Sequence, residues 1–354
     1  MRSIYLDYNA TTPVDPTVRE AMLPYLEERF GNPSSLHAFG RAARVALDEA
    51  REAVAALIGA DPVSVVFVGN GSEANNLAIR GIAAAHRDRG RHLVMTAIEH
   101  LSVRETCQAL EADGFRTTVV PVDQTGRVEP EVVAGVITDE TLLVAVMHAN
   151  NEVGTIQPVE QVASLARERG VPVLVDAIQT VGKMPVDVRT LGCDMVSLSA
   201  HKLYGPKGVG ALYVRKGLEL EALVTGGTHE LRRRAGTENV PGIVGFGVAC
   251  RLAAERREAD EKQMVRLRDR LWKGMAERIP GAFLNGDVVS RLPNTLNVSF
   301  DGVEGESVVI NLDLEGVAVS TGSACASGKV KGSHVLYAMG LNEPRARGSV
   351  RFSL

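Results

Sequence analysis

A lysine at the end of a buried strand can act as a reagent, and residues 195–205, MVSLSAHKLYG, offer one. An apolar, β-branched run ends in small polar residues and leads straight into His201 and Lys202. With 195–199 as a strand covered on both faces, Lys202 emerges at its carboxyl end, where doubly wound sheets bind ligands. A free lysine titrates near about 10.4 and is a poor nucleophile at neutral pH; partial burial lowers that value and permits an imine with an aldehyde, commonly pyridoxal phosphate. A solvated loop lysine is the plain alternative.

Other segments carry groups that suit the same chemistry. The glycine turn of 69–74, GNGSEA, opens a helix and offers backbone N–H groups at Gly71 and the Ser72 hydroxyl to a phosphate, or is an ordinary N-capped helix. His100 can stack on a flat cofactor or carry protons, and the amides of Asn150 and Asn151 can hold a phenolic oxygen or a substrate carboxylate. Asp176 follows the apolar run 172–175 and precedes Gln179 by three positions. A carboxylate there suits a cation; a pyridinium nitrogen paired with it becomes a better electron sink, with a helix N-cap as the alternative. Ser199 and His201 add phosphate donors. Five strand ends carrying fitting groups in one chain argue for a single shared site. Cys325, in the small-residue stretch 320–328, STGSACASG, is expected on a surface loop, where Lys329 and Lys331 favour its thiolate over the reference pKa of about 8.5. Cys107, Cys193 and Cys250 are expected to be inert, buried hydrophobes.

The elements that must position these residues alternate. Residues 1–14 form an extended entry segment, and Asp15 with Pro16 starts a helix. A helical pattern covers 34–58. Apolar runs at 65–68, 93–97, 117–122, 142–147, 171–175, 195–199 and 209–214 are mostly separated by helical stretches such as 72–86 and 159–169. This predicts an α/β fold with a mostly parallel sheet of about seven strands. The last two are joined by a short glycine-rich link, so one edge strand is expected to be antiparallel. A helical pattern, in one or two pieces, runs over 241–279. Strand (295–300), helix (304–314), strand (317–320), helix (333–339) and strand (349–352) patterns then make a smaller α+β unit. The expected division is a large domain at 15–258 and a small one from 1–14 plus 259–354.

Composition narrows the class. The 354 residues are 45% hydrophobic and 23% charged with net charge -4, giving no footprint for nucleic acid or a basic membrane face. No apolar run is long enough to span a bilayer and the N-terminus lacks a signal-peptide pattern, so a cytoplasmic protein is expected. The four cysteines are widely separated with no CxxC, which predicts neither a disulfide framework nor a metal site.

The segments YLDYNATTP, GNPSSLH, MHANNEVGTIQP, DAIQTVGKMPVD, SLSAHKLYGPKGVGALYV and RAGTENVP, in this order along the chain, together resemble the cysteine desulfurases, fold-type I pyridoxal-phosphate enzymes of the class V aminotransferase family. The resemblance implies that Lys202 carries pyridoxal 5'-phosphate, Asp176 pairs with its ring nitrogen and Gln179 bonds the ring hydroxyl. It implies that His100 stacks on the ring and shuttles protons, that Gly71, Ser72, Ser199 and His201 hold the phosphate, and that Asn151 lies near substrate and ring oxygen. Thr237 matches a residue that reaches the phosphate of a neighbouring subunit, so a homodimer is implied. Arg351 matches the arginine that binds the substrate carboxylate. Cys325 matches the nucleophile that takes sulfur from L-cysteine, in the long-loop, NifS/IscS-like branch, before passing it to an iron-sulfur scaffold or a thiolation pathway. Selenocysteine lyase, or another lyase or aminotransferase on the same scaffold, is the alternative. Family members continue beyond position 354, so the final helices of the small domain are expected to be missing.

Overall fold

The computed structural model describes residues 3–321 and 332–354. Its strands are β1 (Ile4–Tyr5), β2 (Val65–Val68), β3 (His92–Thr96), β4 (Arg116–Val120), β5 (Thr141–Met147), β6 (Val173–Asp176), β7 (Met195–Ser199), β8 (Gly210–Val214), β9 (Ala282–Asn285), β10 (Thr295–Phe300), β11 (Val317–Ala318) and β12 (Ser349–Ser353). Seven of them form one sheet in the order β2-β8-β7-β6-β5-β3-β4. The expected α/β sheet is present.

Burial of both faces explains why these strands read as unbroken apolar runs. Period-two alternation divides β5 and β6 between two cores. Val144, Val146, Val173 and Val175 pack on one side with the helices Ala38–Leu57 and Val159–Glu168 and the start of Val240–Arg278. Leu143, Ala145 and Leu174 pack on the other with Gly71–Ala85 and Leu101–Glu111. Only the edge strand β4 is substantially exposed within this sheet.

The antiparallel strand is not at the edge. β8 pairs antiparallel with both β7 and β2, so β2 closes the sheet outside it. The short 200–209 link forces β8 to run back beside β7, but nothing local reveals that the first strand of the sheet returns to cover its free side. All the other strands therefore point the same way, and the carboxyl ends of β2, β3, β5, β6 and β7 share one rim.

The helical pattern over 241–279 is one uninterrupted helix, Val240–Arg278. Its first turns are buried in the sheet's core, and its last turns offer Leu271, Trp272 and Met275 to a second apolar cluster around β10 and β12. The apolar stripe changes partner midway without a helix breaker. Beyond that helix, two elements escaped the sequence reading: β9, which makes the second sheet three-stranded (β12-β10-β9), and the short helix Glu343–Arg347. β1 pairs in parallel with β11, which ties the entry segment to the C-terminal part. No described helix is long and apolar enough to cross a membrane.

Candidate active site

The shared rim opens onto a cavity of about 260 Å³. Lys202 ends a one-turn 3-10 segment, Ala200–Lys202, immediately after β7, and its Nζ donates to the carbonyls of Asn9 (2.5 Å) and Ala10 (2.6 Å). The chain then turns sharply: Tyr204 has φ +60, a conformation costing about 1–3 kcal/mol outside glycine. Hydrogen bonds from its N–H to Thr12 Oγ1 (2.9 Å) and from Asp15 N–H to its carbonyl (2.9 Å) hold it there. The entry segment thus clamps the reactive lysine.

Asp176 is the last residue of β6 and is buried. Its Oδ1 accepts from Ile178 N–H (3.1 Å) and its Oδ2 from Asn75 Nδ2 (2.9 Å). Gln179 donates from Nε2 to Asn9 O (3.0 Å), while its Oε1 accepts from Lys183 Nζ (3.3 Å). His100 caps the helix Leu101–Glu111, with Ser102 N–H donating to its Nδ1 (3.1 Å). Arg351 in β12 is buried against Asp7 (NH2 to Oδ1, 2.7 Å) and donates from NH1 to Asn151 O (3.0 Å).

Burial shapes the electrostatics of the rim. It holds His100 below its ordinary pKa; the Asp176 charge opposes this and Lys202 reinforces it. His201 is lowered to about 4 by burial and then by Lys202, Lys207 and Lys183. Lys183 is lowered to about 7 by burial and by Lys202. It lies in an adjoining cavity of about 290 Å³ that also reaches Lys202. Behind Asp176, burial pushes Glu99 up to about 8, against hydrogen bonds from Thr96 Oγ1 (2.6 Å) and Met147 N–H (2.8 Å). Next to Asn151, burial raises Glu152 to about 7, opposed by a 2.5 Å hydrogen bond from Ser333 Oγ.

The structure therefore gathers ten of the residues singled out from sequence around one cavity: Gly71, Ser72, His100, Asn151, Asp176, Gln179, Ser199, His201, Lys202 and Arg351. Thr237 lies outside it, exposed, beside a separate pocket. Cys325, with Lys329 and Lys331, falls outside the described residues. Cys107, Cys193 and Cys250 are buried as expected. The sequence reading missed Asn9, Asn75 and Ser102. Asn9 sits in the quoted motif YLDYNATTP, whose polar density in an extended segment was the available signal; Asn75 and Ser102 lie within helices and announced nothing.

The Aminotransferase class-V family profile matches residues 4–354. The chain belongs to that family. It is 48% identical over 353 residues to the cysteine desulfurase IscS of Dictyoglomus turgidum, covering 100% of this chain and 90% of the relative. Among solved structures, a NifS-like protein superposes with TM-score 0.94 at 40% identity, covering 100% of this chain and 94% of the other. SspA in complex with cysteine superposes with TM-score 0.89 at 38% identity, with 99% of both chains covered.

Pyridoxal 5'-phosphate is the cofactor of this member of the Aminotransferase class-V family, and its residues fit that group. Ser199 Oγ is buried without a partner among the described residues. It faces Gly71 at the first turn of the helix Gly71–Ala85, where backbone N–H groups stand ready for an anion. A Cβ at position 71 would come within 2.2 Å of Ile178 Cδ1 and 3.5 Å of Ser199 Cβ, closing the cradle. The buried carboxyl group of Asp176 and the amine of Lys202 line the same cavity, as a pyridine ring bearing an aldehyde requires.

Proposed function

We infer that this protein is a cysteine desulfurase that converts L-cysteine to L-alanine and retains the sulfur as a persulfide on Cys325. The observation that carries the reading is the convergence of Lys202, Asp176, His100 and Arg351 on one cavity, in a chain aligned over its whole length with cysteine desulfurases. When bound, pyridoxal phosphate supplies an electron sink that makes loss of the Cα proton and of the β-sulfur accessible.

The protein does the remainder. Gly71, Ser72, Ser199 and His201 would hold the phosphate, and the Asp176 carboxyl group would face the ring nitrogen. Gln179 and Asn151 serve the ring oxygen. Arg351, held flat by Asp7 and the Asn151 carbonyl, orients the substrate carboxylate. Lys202 Nζ moves the Cα proton. The Cys325 thiolate attacks the substrate sulfur: the Cβ–S bond breaks, an S–S bond forms, and Cβ takes the electron pair and a proton, giving alanine. The state of the other thiols supports this choice. Burial pushes Cys107 and Cys193 up to about 12 and raises Cys250 as well, so none of them is a thiolate at neutral pH.

Further parts of the reading are proposals of the same kind. Residues 15–258 form the cofactor-binding domain, and 1–14 with 259–354 the smaller one. The protein works as a homodimer in the cytoplasm, with Thr237 reaching the partner's phosphate; the exposed Leu26, Phe30, Leu36 and Phe39 support an apolar contact between copies. An iron-sulfur scaffold or a sulfur carrier takes the persulfide. The test is a pair of variants. Lys202→Ala is expected to lose the visible imine band, and Cys325→Ser to keep the band yet form no persulfide. A fully active Cys325→Ser enzyme overturns the sulfur-transfer role.

A further inference from the structure

Asn75 is completely buried one turn into the helix Gly71–Ala85, and both hydrogens of its side-chain amide are committed. One goes to Asp176 Oδ2 and the other to Ser102 Oγ, each at 2.9 Å. Ser102 Oγ lies 2.8 Å from His100 Nδ1. Oγ thus accepts from Asn75, and its own hydrogen can go to His100 once Nδ1 is an acceptor. The Ser102 backbone N–H also points at Nδ1, at 3.1 Å, and a backbone N–H can only donate. Nδ1 must therefore be an acceptor, and the proton of the neutral ring sits on Nε2. Burial favours that neutral ring.

We propose that Asn75 and Ser102 are positioning residues that act as one directional relay, holding the Asp176 carboxylate and fixing His100 as the Nε2–H tautomer. The proposal rests on the reading of Asp176 and His100 as cofactor-facing groups. A single amide thus sets the geometry of the ring-nitrogen partner and of the stacking imidazole, from the helix whose first turn cradles the phosphate. It also limits what His100 does at rest. With Nδ1 saturated by donors and Nε2 already protonated, His100 donates a hydrogen bond and does not remove a proton from substrate. The Cα proton is left to Lys202.

The relay makes a prediction that a merely structural asparagine would not. In enzyme labelled with 15N-histidine, with and without pyridoxal phosphate, the His100 ring is expected to show the nitrogen pattern of a pure Nε2–H tautomer. Asn75→Ala, which frees the Ser102 hydroxyl, and, separately, Ser102→Ala, which removes it, are expected to move the Nδ1 resonance toward that of an unbonded pyridine-type nitrogen, while the Ser102 backbone N–H keeps the proton on Nε2. Asn75→Ala is further expected to shift the 15N resonance of ring-labelled cofactor and to lower kcat about ten- to a hundredfold while KM changes less than about threefold, the size of one lost hydrogen bond to a charged group. Ser102→Ala, at a half-buried site, keeps the test open if Asn75→Ala fails to fold. A His100 ring protonated on Nδ1 in the unaltered enzyme, or an Nδ1 resonance unchanged in a folded variant, overturns the relay. Failure of the unaltered enzyme to bind pyridoxal phosphate or release alanine from cysteine would instead overturn the functional reading beneath it.

Discussion

Replacing Ser199 by alanine is expected to stabilise the cofactor-free protein while weakening the cofactor's hold on it. Ser199 Oγ is buried with no hydrogen-bond partner among the described residues, so the apo fold bears the desolvation of a hydroxyl without recompense. That cost is about 1–3 kcal/mol. Unfolding a chain of 354 residues carries an entropy of ~0.7 kcal/mol per kelvin at ~2.1 cal per residue, so the apo melting temperature should rise by about 1–4 °C. With a phosphate in the cradle the sign reverses. The hydroxyl then makes a charge-assisted hydrogen bond of about 1.5–3 kcal/mol, and its loss should raise the Kd for pyridoxal phosphate about ten- to a hundredfold. Scanning calorimetry of apo protein and spectrophotometric titration with cofactor read the two quantities separately. A variant that melts lower and binds pyridoxal phosphate unchanged would refute the reasoning, since the hydroxyl would then serve the fold alone.

Three further outcomes follow from the same geometry. Arg351→Lys keeps the charge beside Asp7 but loses the planar fork, so KM for cysteine should rise at least about tenfold with the imine band retained; an unchanged KM in steady-state assays removes Arg351 from carboxylate binding. Glu99 titrates near about 8 in the fold, against 4.5 as its ordinary value, because burial disfavours its charge. Its contribution to stability is therefore complete below about pH 4.5 and lost as pH rises through about 8. Glu99→Gln should flatten the decline of melting temperature between about pH 4.5 and about pH 8, and parallel curves for the two proteins would contradict the assignment. Alkylation of the native enzyme at neutral pH should label Cys325 and spare Cys107, Cys193 and Cys250, whose thiols burial holds protonated; peptide mapping decides.

What the sequence disclosed was what depends on local pattern. Strands β5, β6 and β7 are buried on both faces, so each reads as an apolar run, and the polar residues that end the runs, Asp176 and Lys202 among them, had to fall on the rim where parallel strands stop. Pairing is not local. The return of β2 beside β8 places an antiparallel strand inside the sheet, and no residue of either strand signals it. β9 was overlooked because AFLN, half exposed and short, carries no contrast against its turns. The site was legible in its reagents and hidden in their supports. Asn75 looks like any polar residue of a helix, and the clamp on Lys202 is made by the carbonyls of Asn9 and Ala10, which every residue type possesses.

Two lysines border the rim, the half-buried Lys202 in both adjoining cavities and the buried Lys183 in one, and the account depends on the first carrying the cofactor. Borohydride reduction of the protein loaded with pyridoxal phosphate, followed by peptide mapping, separates them directly. The account predicts a single pyridoxyl group on Lys202; the label on Lys183, or on no lysine of the rim, would contradict it.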